Sequence, residues 1–154
     1  MHLQDIYVYP IKSLGGIRLE KATVKEKGLE HDRRWMLVDK KGRFLTQREH
    51  PRMALLQSKL RDEGILVYPK LSPDDQIMVP FTPRDDHMLK VIIWDDEVLA
   101  QHVDREISDW FSNFLELPCD LVYMPVSTRR HLKPKYAVNR EAVSFADGMP
   151  YLLI

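Results

Sequence analysis

The chain reads as mostly β, in the α+β class: a barrel-like antiparallel or mixed sheet with at least one packed helix. Three observations predict this. Short β-branched and aromatic runs recur, as in Ile6-Tyr7-Val8-Tyr9 and Trp35-Met36-Leu37-Val38. Polar turns such as Asp39-Lys40-Lys41-Gly42 and Arg61-Asp62-Glu63-Gly64 separate them at a spacing that favours a barrel or sandwich over a parallel sheet. Helical periodicity marks one stretch, where Ile107, Trp110, Phe111, Phe114 and Leu115 share a single apolar face.

In chain order, Ile6 to Tyr9 reads as a buried strand closed by Pro10. Residues 17–24 alternate imperfectly and predict a second strand, and Gly28 offers a turn with positive φ. Trp35 to Val38 is a further buried strand, and Arg43 to Thr46 returns from the turn as its hairpin partner. Ala54 to Leu60 and Ile65 to Tyr68 predict a second hairpin; Lys90 to Trp94 and Glu97 to Ala100 predict a third around Asp95-Asp96. Residues 71–86, rich in Pro and Asp, read as exposed loops around a short Ile77-Met78-Val79 strand. The helix runs from Asp104, a good N-cap, to Leu117 before Pro118. Ser127 to Arg140 is basic, lacks apolar periodicity and reads as a linker or mobile loop. Val143-Ser144-Phe145 reads as a strand and Asp147 to Pro150 as a turn. Termini are usually frayed and solvated, so an ending in Tyr151-Leu152-Leu153-Ile154 predicts a chain cut from something longer, or a docked edge strand.

At 154 residues the chain suits one domain, or one domain and part of another, with 44% hydrophobic residues to build a core. Its 23 basic and 23 acidic residues cancel, so no global field favours nucleic acid or anionic membrane, and anion binding must be local. The single cysteine, Cys119, excludes an internal disulfide and fits a reducing compartment. Without a signal-like start or a membrane-length apolar run, a cytoplasmic protein is expected, with no membrane and no nucleic acid as partner.

Three segments place cations at the ends of strand-like runs: Tyr9-Pro10-Ile11-Lys12-Ser13, Asp32-Arg33-Arg34-Trp35 and Leu45-Thr46-Gln47-Arg48 through Arg52. Strand ends fix side-chain direction at a sheet rim, so these cations can converge on one anion. Lys12-Ser13 before Gly15-Gly16 is not a P-loop, because the glycines follow the lysine; it reads as a plain turn or as a small anion nest. Adjacent strand residues face opposite ways, so one of Arg33 and Arg34 can face a site; the other reading is an ion pair of an arginine with Asp32 that braces the loop. Arg48 and Arg52 carry the same two readings. His31 and His50 lack companions at metal-ligand spacing, Cys119 reads as a structural thiol, and no Ser/His/Asp set is recognisable.

Taken in order, these segments, with Gly28-Leu29 and Pro51-Arg52, resemble the N-terminal β-barrel domain of MOSC proteins. Phe145-Ala146-Asp147 with Pro150 resembles the opening of the MOSC domain proper. The resemblance implies a barrel over residues 1–124, a linker or loop over 125–140 and the start of a truncated MOSC domain over 141–154. It further implies that the two domains together bind the molybdenum cofactor (molybdopterin). By position, Lys12 and Ser13 match residues that contact the pterin and phosphate, Arg33 matches a cofactor-binding arginine, and Arg48 falls in the matching third segment. The family's molybdenum-ligating cysteine lies further on and Cys119 does not match it, so no catalytic residue or metal ligand is expected here.

The expected function is therefore the N-terminal portion of a MOSC-type oxidoreductase, inactive by itself, whose cofactor is bound in the full-length parent and absent from this piece. Members of that family reduce N-hydroxylated compounds with electrons from a separate electron-transfer protein. The family is also associated with sulfur transfer and with pyridoxal phosphate. The alternative is a non-enzymatic β-barrel that binds a ligand or partner.

Overall fold

The computed structural model describes residues 2–152; Leu153 and Ile154, half of the expected apolar ending, lie outside the described residues. The described residues form eleven strands and one α-helix: β1 (Ile6–Val8), β2 (Ile17–Leu19), β3 (Val24–Lys25), β4 (Gly28–Leu29), β5 (Trp35–Asp39), β6 (Leu56–Leu60), β7 (Gly64–Pro69), β8 (Ile77–Pro80), β9 (Met88–Ile93), β10 (Asp96–His102), α1 (Arg105–Leu115) and β11 (Cys119–Tyr123). The mostly β class with one packed helix is as expected. The sheets are antiparallel: β1-β2, β3-β4, β6-β7-β8 and the four-stranded β5-β11-β10-β9.

None of these sheets is closed, but Gly42 to Leu45 lies against both edges of the largest one. Asp39 N–H donates to Arg43 O (2.8 Å) and Leu45 N–H to Leu37 O (2.8 Å) on the β5 side. On the β9 side, Phe44 N–H donates to Ile92 O (3.0 Å) and Ile92 N–H to Gly42 O (2.8 Å). The expected return of 43–46 thus exists as bridges rather than as a full strand, because the segment divides its hydrogen bonds between two neighbours. The result is barrel-like. Its interior holds Met36, Val38, Phe44, Val91, Ile93, Val98, Ala100, Val122 and Phe145, while Trp35, Leu37 and Leu121 face the opposite way into a second core beneath α1. Period-2 alternation along β5 therefore fills two cores, which explains its unbroken apolar run.

Four boundaries differ from expectation. Residues 17–24 split into β2 and β3, which pair with different neighbours, β1 and β4. Pro51 opens a 3-10 turn over Pro51–Leu55, so β6 starts only at Leu56. The third hairpin turns at Trp94-Asp95, since Asp96 already pairs with Ile93. The helix ends at Leu115 because Glu116 takes a left-handed cap (φ 55°), while Asp104 caps its start by accepting from Ile107 N–H at 3.1 Å. No regular strand forms at 143–145, although Val143, Ser144 and Phe145 are buried.

Candidate functional site

The first two cationic segments run side by side. Arg33 N–H donates to Tyr9 O (2.8 Å), Lys12 N–H to Trp35 O (2.9 Å) and Trp35 N–H to Pro10 O (3.2 Å). The third is tied on by Gln47 Nε2, which donates to Ser13 O at 2.7 Å. Phe145 N–H donates to Arg33 O (2.9 Å), adding a fourth segment.

At their meeting point lies Lys12, 5% exposed. Its ammonium pairs with the Asp147 carboxylate and lies 5.7 Å from the Phe44 ring centroid and 5.9 Å from that of Trp94. Burial pushes the Lys12 pKa down against the pull of Asp147, and the nearby charges of Arg130 and Arg33 push the same way as burial. The Asp147 side chain is 63% exposed. Burial alone would raise its pKa, but Lys12, the Trp94 indole N–H (3.2 Å) and the charge of Arg48 outweigh this and hold it below the usual value. The Arg48 guanidinium lies 5.6 Å from the Trp94 ring centroid and is exposed.

Arg33 and Arg34 diverge. Arg33 Nε donates to the buried Asp32 carboxylate at 2.8 Å, which also accepts from Tyr9 N–H at 2.8 Å. Burial raises the Asp32 pKa despite Arg33 beside it. Arg34 turns to Tyr123 Oη (3.2 Å) and Met124 O, away from Lys12. Arg52 is also apart, pairing with Glu116 at 3.1 Å by the end of α1. The Gly-Gly nest is not formed: Gly15 N–H donates to Leu56 O (3.1 Å), and a Cβ on Gly16 would strike the Tyr9 ring at 2.6 Å. What the segment offers an anion is Lys12 and the half-buried Ser13, whose backbone is left-handed (φ 66°).

Trp94 and Arg130 of this cluster were not singled out from the sequence as site residues. Arg130 belongs to the stretch expected as a loop, yet it is 5% exposed. It donates through Nε to Asp96 (2.7 Å) and through one terminal nitrogen to Ser144 O (2.8 Å) and Ala146 O (2.6 Å). Arg130 thereby holds the residues before Asp147 against the β9–β10 hairpin that carries Trp94. Basic composition concealed it, since a buried arginine among solvated ones has no local signature. Similarly, Lys27 is buried and donates to Pro125 O (2.9 Å), Val126 O (2.9 Å) and Thr128 O (2.6 Å), with burial pushing it down to about 8.

A Ser/His/Asp set does assemble, from three separate segments. His102 Nδ1 lies 2.8 Å from Asp85 and Nε2 3.1 Å from Ser108 Oγ. It is structural: Ser108 is buried, its hydroxyl donates to Asp104 O (2.9 Å) and its oxygen accepts from Leu121 N–H (3.1 Å). His31 stacks on Phe81 at 4.2 Å. Cys119 is buried beside Ser112, with its thiol pKa raised by burial. Among the described residues, no group of three His, Cys, Asp or Glu side chains could hold a metal ion, and no helix is long and apolar enough to cross a membrane.

Residues 1–118 match the family model described as the MOSC N-terminal beta barrel domain. The chain is 35% identical to a molybdenum cofactor sulfurase of Botryotinia fuckeliana over 86% of this chain and 19% of that protein. It is 27% identical to the Homo sapiens molybdenum cofactor sulfurase over 97% of this chain and 18% of that protein. With mitochondrial amidoxime-reducing component 1 of Mus musculus it shares 24% identity over 97% of this chain and 46% of that protein. The chain thus spans about a fifth of the sulfurases' length and just under half of the amidoxime-reducing component's. The solution structure of a Bordetella bronchiseptica protein superposes with a TM-score of 0.52 at 18% identity, covering 70% of this chain and 90% of that one, a likeness of fold.

Proposed function

Because the chain belongs to the MOSC N-terminal beta barrel family, we propose that it is the cofactor-holding barrel of a molybdenum-cofactor protein. In this reading Lys12, Ser13, Arg33 and Arg48 receive the anionic phosphate end of the pterin. One observation carries it: a lysine 5% exposed, in a turn just after the Ile11 bridge to Trp35 rather than on the strand end expected from the sequence, whose carboxylate partner stands mostly in water. A desolvated ammonium needs a counter-charge. Here the counter-charge sits where an incoming phosphate can take its place.

The donor set suits that group. Lys12 supplies a point charge, Arg48 an exposed planar fork on the Trp94 ring that Lys12 also approaches, and Ser13 a half-buried hydroxyl. Arg33 is braced by Asp32, so its charge reaches the site more than its donors do. Ser144 Oγ is buried without a hydrogen-bond partner next to the segment Arg130 holds. When bound, the cofactor supplies the molybdenum redox or sulfur-transfer chemistry. This chain's residues bind its anion, orient it and shield it from water.

The relatives' names, sulfurase and amidoxime-reducing component, support molybdenum-related chemistry for the parent. Reduction of N-hydroxylated compounds with electrons from a separate protein, or related sulfur and molybdenum chemistry, is the activity we assign to it, in the cytoplasm. The test is to mix the purified chain with molybdopterin, remove unbound ligand by gel filtration and measure retained pterin by fluorescence after oxidation. Although the sequence alone leads to the expectation that this piece lacks the cofactor, the cluster around Lys12 predicts retention, with losses of about tenfold or more in Lys12→Met and a smaller loss in Arg48→Ala, as for removal of charge-assisted hydrogen bonds. A chain that retains no pterin overturns the proposal.

A further inference from the structure

Trp94 is out of place for a residue whose work is packing. It is the first residue of the two-residue turn between β9 and β10, where Ile93 pairs with Asp96. Its backbone is left-handed (φ 53°), a conformation that Asn, Asp and Gly adopt readily in such turns and a bulky aromatic rarely does. Outliers of this kind persist where the surroundings impose them, and they gather at ligand clamps. The core does not explain it, because Trp94 is 36% exposed.

Its neighbours point elsewhere. The ring leans on Phe44, with centroids 4.9 Å apart and planes tilted by 57°. Lys12 and Arg48 lie 5.9 and 5.6 Å from its centroid, and its N–H reaches Asp147. An exposed π-surface therefore stands at the mouth of the buried cation, with an exposed guanidinium alongside.

We propose that Trp94 is a ligand-binding residue, the stacking platform for a planar ring carried by the anion held at Lys12. This rests on the anion-site reading above and adds ring recognition to it. Aromatic faces and guanidinium planes both stack on heterocycles, and the contact is indifferent to what the phosphate does. The site then selects phosphates that carry a flat ring within reach of the Lys12 ammonium.

Two probes separate the ring from the anion: the oxidised, metal-free pterin phosphate released from the cofactor, and glycerol 3-phosphate, which has no ring. Calorimetric titration of the full chain should show the pterin phosphate binding tighter, with quenching of tryptophan fluorescence. In Trp94→Leu the pterin phosphate should weaken about tenfold, the scale of one aromatic stacking contact, and the quenching should disappear. Glycerol 3-phosphate should change far less than the pterin phosphate, and an unchanged circular-dichroism spectrum and melting temperature certify the variant's fold. Trp94→Phe, which keeps a ring, should retain most of the preference. Equal losses for both probes, or no loss for either, overturn the proposal while leaving the anion site standing. If neither probe binds the unaltered chain, the anion-site reading fails as well.

Discussion

Two aspartates flank the cation cluster and respond to pH in opposite senses. Asp147 is held below its ordinary pKa of 3.8, after Lys12 and Trp94 outweigh its burial. It therefore adds stability above about pH 4 that is lost as pH falls through its folded value. Asp32 is raised above 3.8 by burial despite Arg33. Its contribution is present below about pH 4 and lost as pH rises through its folded value. Urea unfolding of Asp147→Asn should thus show a deficit at pH 7 that shrinks towards pH 3, whereas any deficit of Asp32→Asn should grow in that direction. A pH-independent deficit for Asp147→Asn would mean that its carboxylate is not the partner of Lys12. At this scale the cluster was half legible. Lys12, Ser13, Arg33 and Arg48 stand in conspicuous motifs, but Asp147, Trp94 and Arg130 gain meaning only from a fold that joins residues 12, 94, 130 and 147.

The elements divide along the same line. Hairpins β6–β7 and β9–β10 were readable because a local turn fixes each pairing, although the placement of Trp94 in the second shifted its turn by one residue. The pairing of β5 with β11 was not, since nothing local joins Trp35 to Tyr123. Least visible was the span from Gly42 to Leu45 between the edges of the large sheet. Gly42 makes it possible: its φ is +78°, and a Cβ there would stand 2.7 Å from Lys90 O. Gly42→Ala should therefore cost about 1–3 kcal/mol through backbone strain and forced separation. Hydrogen exchange at the Ile92 amide, which donates to Gly42 O, should accelerate beyond the global change. Unaltered Ile92 protection would show that this segment does not hold the sheet edges together.

For the whole molecule, the question is where the folding unit ends. The family match stops at residue 118, yet β11 begins at Cys119 and lies between β5 and β10 in the main sheet. Without it, β5 loses its one strand partner among the described residues and both cores open, since Leu121 fills one and Val122 the other. Phe145 is fully buried in the barrel interior, although it lies in the segment that resembled the opening of the next domain. The barrel core and the proposed anion site are thereby linked, because Phe145 packs two residues before Asp147 and its N–H is held by Arg33 O. A chain ending at Pro118 should show no cooperative thermal transition. Phe145→Ala in the full chain should lose about 3–5 kcal/mol, the usual cost of emptying a buried aromatic site. A cooperative melt from the shortened chain would place the unit's boundary before β11 and make the later residues an accessory to the barrel rather than part of it.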